Sequence, residues 1–167
     1  MDRIGRIALA VAAAWVWGAA AAGAAPSPTA GAAIFAERCA VCHASTGLGQ
    51  AGVYPPIVDT LGHFMAIEAG RQYLADVLVF GLGGTITVGG ATYVGQMQVV
   101  PSLTDEEAAD VLSYVLTELN ARSLPADAKL LDATDIATRR VDAKAPTAVA
   151  KSRQAVVQQL AARGLSR

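Results

Sequence analysis

The chain has 167 residues, room for one ordinary domain plus appendages, and a formal net charge of −1; no nucleic-acid partner is expected. Hydrophobic residues make up 53% of it, but many are alanines near the N-terminus, and aromatics reach only 5%. A small domain so poor in large apolar side chains is hard to stabilise alone, and a large buried cofactor would supply the missing core.

In chain order, Arg3 and Arg6 precede an apolar run over residues 7–17, and a small-residue stretch over 18–25 follows. A positive start, an apolar middle and an A-x-A site describe a cleaved export signal, here residues 1–24, with the cut after Ala24 in Ala22-Gly23-Ala24. Cutting one residue later would leave Pro26 directly beyond the scissile bond. The alternative is an uncleaved N-terminal anchor, since residues 7–25 carry no charge and are long enough to span a bilayer. The second half of that run is only Ala and Gly, which supplies little transfer energy.

Residues 26–28 read as a linker, and the spacing predicts a helix over 30–40. A loop rich in Gly, Pro, Ser and Thr follows over 43–60. The next helix is predicted over 67–80, ended by Gly81, Gly83 and Gly84. Alternation around Gly89-Gly90 over 85–93 suits a minimal β-hairpin or an extended loop. The most secure helix covers 103–119, where Thr104 and Glu107 form a capping box and Val111, Leu112, Val115, Leu116 and Leu119 make an apolar stripe. Two short helices are expected over 134–140 and 147–160. The fold class is therefore all-α with long loops.

The near-neutral total hides a division. Residues 25–120 hold two cations, Arg38 and Arg71, against nine anions, whereas residues 121–167 hold nine cations against four anions. An acidic domain over 25–120 is thus followed by a basic C-terminal extension over 121–167, partly helical or disordered.

Cys39-Ala40-Val41-Cys42-His43 is the informative segment. Two thiols three positions apart at a helix end can each add to one vinyl group of a single porphyrin, and an imidazole immediately after them reaches the iron. C-x-x-C-H is read as covalent attachment of one c-type haem for this reason. A thioredoxin-like pair wants a preceding strand, and a zinc site wants four ligands. The only other thiol or imidazole is His63, and a plain disulfide leaves His43 without a role.

The sixth iron ligand must come from farther along, from Met97, Met65 or His63. Met97 is preferred, in a loop where Gly95 would let the backbone approach the ring. Met65 sits in an apolar run and is more simply a core residue. His63 is more simply a loop or surface histidine.

From residue 31 to residue 119 the chain resembles the class I, single-haem cytochrome c family. The matching features are Gly31 and Phe35 before the motif, Pro55-Pro56 after it, a Gly-Gly-x-x-x-x-Gly-Gly loop, Tyr93-x-Gly95-x-Met97, and a final acidic-capped helix carrying Tyr114. The resemblance implies crossed first and last helices, with Gly31 or Phe35 near Tyr114. It also implies that a proline carbonyl, here that of Pro55, accepts a hydrogen bond from His43 Nδ1–H. Gln98 stands where the family usually has proline after the ligand methionine, which leaves that loop less rigid.

The resemblance implies an electron carrier in the periplasm, not an enzyme by itself, whose partners are other redox proteins. Two alternatives stand beside it: the cytochrome subunit of a periplasmic dehydrogenase, and a gas-binding or peroxidatic haem protein with an open iron. For the basic extension two arrangements compete, folding back on its own domain or docking on an acidic partner. The run Val149, Val156, Val157 and Leu160 beside Lys151 and Arg153 favours docking.

Overall fold

The computed structural model describes residues 24–165. The expected export signal therefore lies outside the described residues, apart from Ala24. Among the described residues no helix is long and apolar enough to cross a membrane.

The first helix, α1 (Pro28–Ile34), begins two residues earlier than its apolar spacing predicts. Pro28 occupies the first turn, where a missing N–H costs nothing, and Ser27 Oγ caps the end by accepting from Ala30 N–H at 3.2 Å. A π-helical turn over Phe35–Cys39 then leads into α2 (Ala40–His43). After a long loop and a 3₁₀ turn at Gly62–Ala66 comes α3 (Glu68–Phe80).

α4 (Asp105–Tyr114) continues into a second π-helical turn at Val115–Leu119. Both arms of its capping box form: Thr104 Oγ1 accepts from Glu107 N–H at 3.1 Å, and the Glu107 carboxylate accepts from Thr104 N–H at 2.9 Å. Asp105, Glu106 and Glu107 sit at the positive end of the helix dipole.

α1 and α4 cross. A Cβ on Gly31 would lie 2.0 Å from the Asp110 carbonyl oxygen and 2.9 Å from Tyr114 Cβ, so only a hydrogen fits between the helices. One turn on, the Phe35 and Tyr114 rings meet at 5.3 Å between centroids, tilted by 47°. Ser27 N–H fastens the start of α1 to Asp110 at 2.6 Å. This is the crossed-helix frame that the resemblance implies.

The hairpin is larger than its sequence pattern suggests. β1 (Leu82–Val88) pairs antiparallel with β2 (Ala91–Met97) from Leu82 opposite Met97 to Val88 opposite Ala91. Gly89 and Gly90 both take positive φ, which a two-residue turn needs to match the strand twist. Glycines that read as loop, Gly83, Gly84 and Gly95, lie inside the ladder.

The core does not stop at Asn120. α5 (Ala133–Arg140) and α6 (Pro146–Ala162) fold back over α3 and the hairpin. Ile136 and Val149 are fully buried and Val156 and Leu160 nearly so, in one cluster with Phe64, Tyr73, Leu112 and Leu116. The apolar stripe that suggested docking is thus interior surface, and α5 and α6 are packed into the core. Charge follows the same plan. Arg139 holds the buried Asp76 through two bonds of 2.8 and 3.0 Å, and Lys144 adds a third at 2.6 Å. Arg140 pairs with Asp105, Arg122 with Asp59, and Arg71 with Asp135.

Candidate functional site

The motif occupies the last two turns of the first helical segment. Cys39 closes the π-helical turn, Cys42 and His43 end α2, and both thiols are free and partly buried. In that turn Ala40 N–H reaches back to the Phe35 carbonyl, a longer step than an α-helix takes, and such turns recur at functional sites. Phe35 anchors it against Val111 and Val115, with Cys39, Ala40 and Ile57 at the edge of the cluster.

Burial, and then the neighbouring Cys42, push the Cys39 thiol up to about 11, with Arg38 opposing. Burial also holds the His43 imidazole below its usual value, against the Pro55 hydrogen bond, which acts the other way.

His43 Nδ1 lies 3.2 Å from the Pro55 carbonyl oxygen. A carbonyl only accepts, so this contact assigns the proton to Nδ1 and leaves the Nε2 lone pair free. Pro55 reaches His43 because the loop after α2 doubles back, with Gln50 and Tyr54 bridging antiparallel. Ala44, directly after His43, takes φ 57 and ψ 158, a conformation costly for a residue with a Cβ.

Met97 is not in a loop; it ends β2. Its strand runs close to the C-terminus of α3, where Gly81 takes φ +77 and a Cβ would stand 2.5 Å from the Met97 carbonyl oxygen. Gly81 therefore sets where Met97 begins to leave the sheet. Met65, at 5% exposure, belongs to the main core cluster. His63 is half-buried beside Phe64, Val88 and Arg153, away from the motif helix in sequence and contact. Gly95 faces open space, with nothing within 4 Å of a Cβ built there.

Arg38, which the sequence did not single out, ties the two ends of the site together. Its guanidinium donates to the Pro101 carbonyl at 3.1 Å, joining the motif helix to the turn that follows Met97. Nothing in a lone arginine before a cysteine signals that role.

The donor set fits an attached porphyrin. Two free thiols and an imidazole with one open nitrogen stand on consecutive helical turns, and a thioether is available on β2. Among the described residues no three His, Cys, Asp or Glu converge as a metal site of their own. Val41, Leu48, Val53, Tyr54, Val94 and Val99 are exposed in the segments that carry the candidate donors, and Val141 is exposed away from them. Apolar side chains concentrated in this way suit contact with a large apolar ring or a partner.

Residues 28–118 match the cytochrome c family. Over 87 residues the chain is 44% identical to cytochrome c-552 of Thermus thermophilus, which covers 52% of this chain and 66% of that relative. It is also 33% identical over 94 residues to a thiosulfate dehydrogenase of Psychrobacter arcticus, covering 50% of this chain and 24% of the relative. To the cytochrome c subunit of a quinone alcohol dehydrogenase from Gluconobacter oxydans it is 30% identical over 86 residues, covering 52% and 17%. The chain thus spans less than two thirds of the length of each of these relatives. With its crossed helices and its C-x-x-C-H segment, the chain belongs to the cytochrome c family, and its cofactor is haem c, iron-bearing and covalently attached.

Proposed function

We propose that the chain carries single electrons between redox proteins of the periplasm, as a carrier and not as an enzyme in its own right. The haem iron supplies the one-electron ferric/ferrous couple. Cys39 and Cys42 would tether the ring, and His43 Nε2 and the Met97 sulfur would hold its iron. His43 and its Pro55 partner carry this reading: with Nδ1–H spent on the carbonyl, a neutral imidazole presents one lone pair beside two free thiols. Methionine–histidine ligation raises the potential and leaves no open position for a substrate. The leader over residues 1–24 supports export of the chain.

Cys39→Ala or Cys42→Ala tests the tether. Wild-type protein keeps its haem through a denaturing gel and stains for it; each variant yields a poorly folded, haem-deficient chain. Haem that comes away from the wild type under denaturing conditions rejects the assignment.

A second reading is favoured by two of the relatives, one a cytochrome c subunit of a dehydrogenase and one a thiosulfate dehydrogenase. On it the chain serves a larger periplasmic dehydrogenase as its electron outlet. Native copurification of a second polypeptide that reduces the chain in the presence of its substrate decides for this reading.

A further inference from the structure

Asn120 is completely buried, and its side-chain amide makes four hydrogen bonds, its full capacity. Oδ1 accepts from the backbone N–H of Leu61 at 2.8 Å and of Gly62 at 3.3 Å. Nδ2 donates to the carbonyls of Ile57 and Val115, each at 2.8 Å. A flipped amide would set donors against donors and acceptors against acceptors, so these partners define its orientation.

The other three partners all lie in the loop just past Pro55. Ile57 is gripped on both sides. Its N–H donates to the Gly47 carbonyl at 2.8 Å and its carbonyl accepts from Asn120. Gly47 N–H bonds in turn to the Ala44 carbonyl at 3.0 Å, and Gly49 N–H to the His43 carbonyl at 2.9 Å. Between Ile57 and Pro55 stands only Pro56, whose φ is locked. The path from Asn120 to the carbonyl that meets His43 is therefore short and stiff.

Resting on the reading of His43 as an iron ligand, we infer that Asn120 is a positioning residue that holds Ile57 so that the Pro55 carbonyl meets His43 Nδ1, and thereby tunes the imidazole–iron bond. A well-aimed acceptor makes the imidazole a stronger donor to the metal. Losing that aim weakens the donor, favours ferrous over ferric iron and raises the potential. Residue 120 lies just past the family match, which ends at 118.

The test uses the full haem-loaded chain with Asn120→Asp and, as a milder change, Asn120→Ser. Aspartate keeps the acceptor for Leu61 and Gly62 but turns a carboxylate oxygen toward the carbonyls of Ile57 and Val115. Serine is too short to span all four partners. Hydrogen exchange of His43 Nδ1–H, followed by NMR in the reduced protein, should quicken by up to roughly tenfold, the scale of one lost hydrogen bond. The midpoint potential should rise with it in Asn120→Ser, which adds no charge. Val149→Ala, in the buried face of α6, serves as the control: it lowers the melting temperature and leaves both readouts alone. Asn120 variants that melt lower yet match the control in exchange and potential overturn the inference and leave the ligand assignment standing. A wild-type protein without a protected His43 Nδ1 proton overturns both.

Discussion

The segment around the motif and the segment after Asn120 treat their apolar residues in opposite ways. Around the motif, Val41 and Leu48 stand 81% and 62% exposed, and Val53 is half exposed. After Asn120 large apolar residues are sparser than in the rest of the domain, yet Leu131, Ile136, Val149, Val156 and Leu160 are buried and Val141 is the one large apolar side chain left exposed among the described residues there. The first segment holds its thiols and imidazole at a helix end, beside a loop shaped by backbone hydrogen bonds, and leaves apolar side chains exposed. The second spends its apolar residues on the core and its cations on the acidic domain. What reads in the sequence as an appendage is a brace, and the separation of charge between the two is an internal attraction.

The largest test of that contrast is removal of the brace. A chain ended after Asn120 uncovers Phe64, Tyr73 and Leu116 and strands Asp76 without its cations. It should fail to fold cooperatively, as seen by circular dichroism and denaturant titration. A stable, haem-bearing shortened chain would return the tail to the status of an appendage.

Asp76→Ala sharpens the comparison within a folded protein. Asp76 is 3% exposed, and removing it leaves Arg139 and Lys144 half-buried and unpaired. Breaking such a group from one side costs about 3 kcal/mol, discounted toward the lower end because both cations keep some water. The loss should show in urea unfolding with the reduction potential unchanged. A potential that moves with Asp76 would mean that brace and site are coupled.

Met97→Ala should give the reverse signature. Its main effect is a lower potential and loss of the weak ferric absorption at the red end that marks iron–sulfur bonding. Met65→Ala, in the core, should lower stability by about 2–4 kcal/mol and leave band and potential alone. The opposite pattern would move the ligand to Met65.

The smallest expected effect is a gain. Ala44 pays for a backbone conformation that suits glycine, so Ala44→Gly should stabilise the loaded protein by about 1 kcal/mol in thermal melting. No change, or a loss, would show that the turn after His43 is relaxed as it stands.

Local chemistry made much of this molecule legible in its sequence. The C-x-x-C-H spacing, the capping box of Thr104 and Glu107, the stop at Gly81 and the small residue at Gly31 each act over one or two turns, so their pattern survives in the one-dimensional text. Tertiary pairing decided the rest. Gly83, Gly84 and Gly95 look like loop until the cross-strand hydrogen bonds put them in a sheet, and that pairing places Met97 at a strand end. The stripe of Val149, Val156 and Leu160 would suit a partner or its own core equally well. Only the face of Phe64 and Tyr73, and the buried Asp76 awaiting two cations, chose the core. Asn120 shows the limit most clearly. In sequence it marks the end of a helix, and its four bonds, two of them to residues 58 and 59 positions away, exist only once the chain has folded, because hydrogen-bond capacity is local whereas the partners that fill it are not.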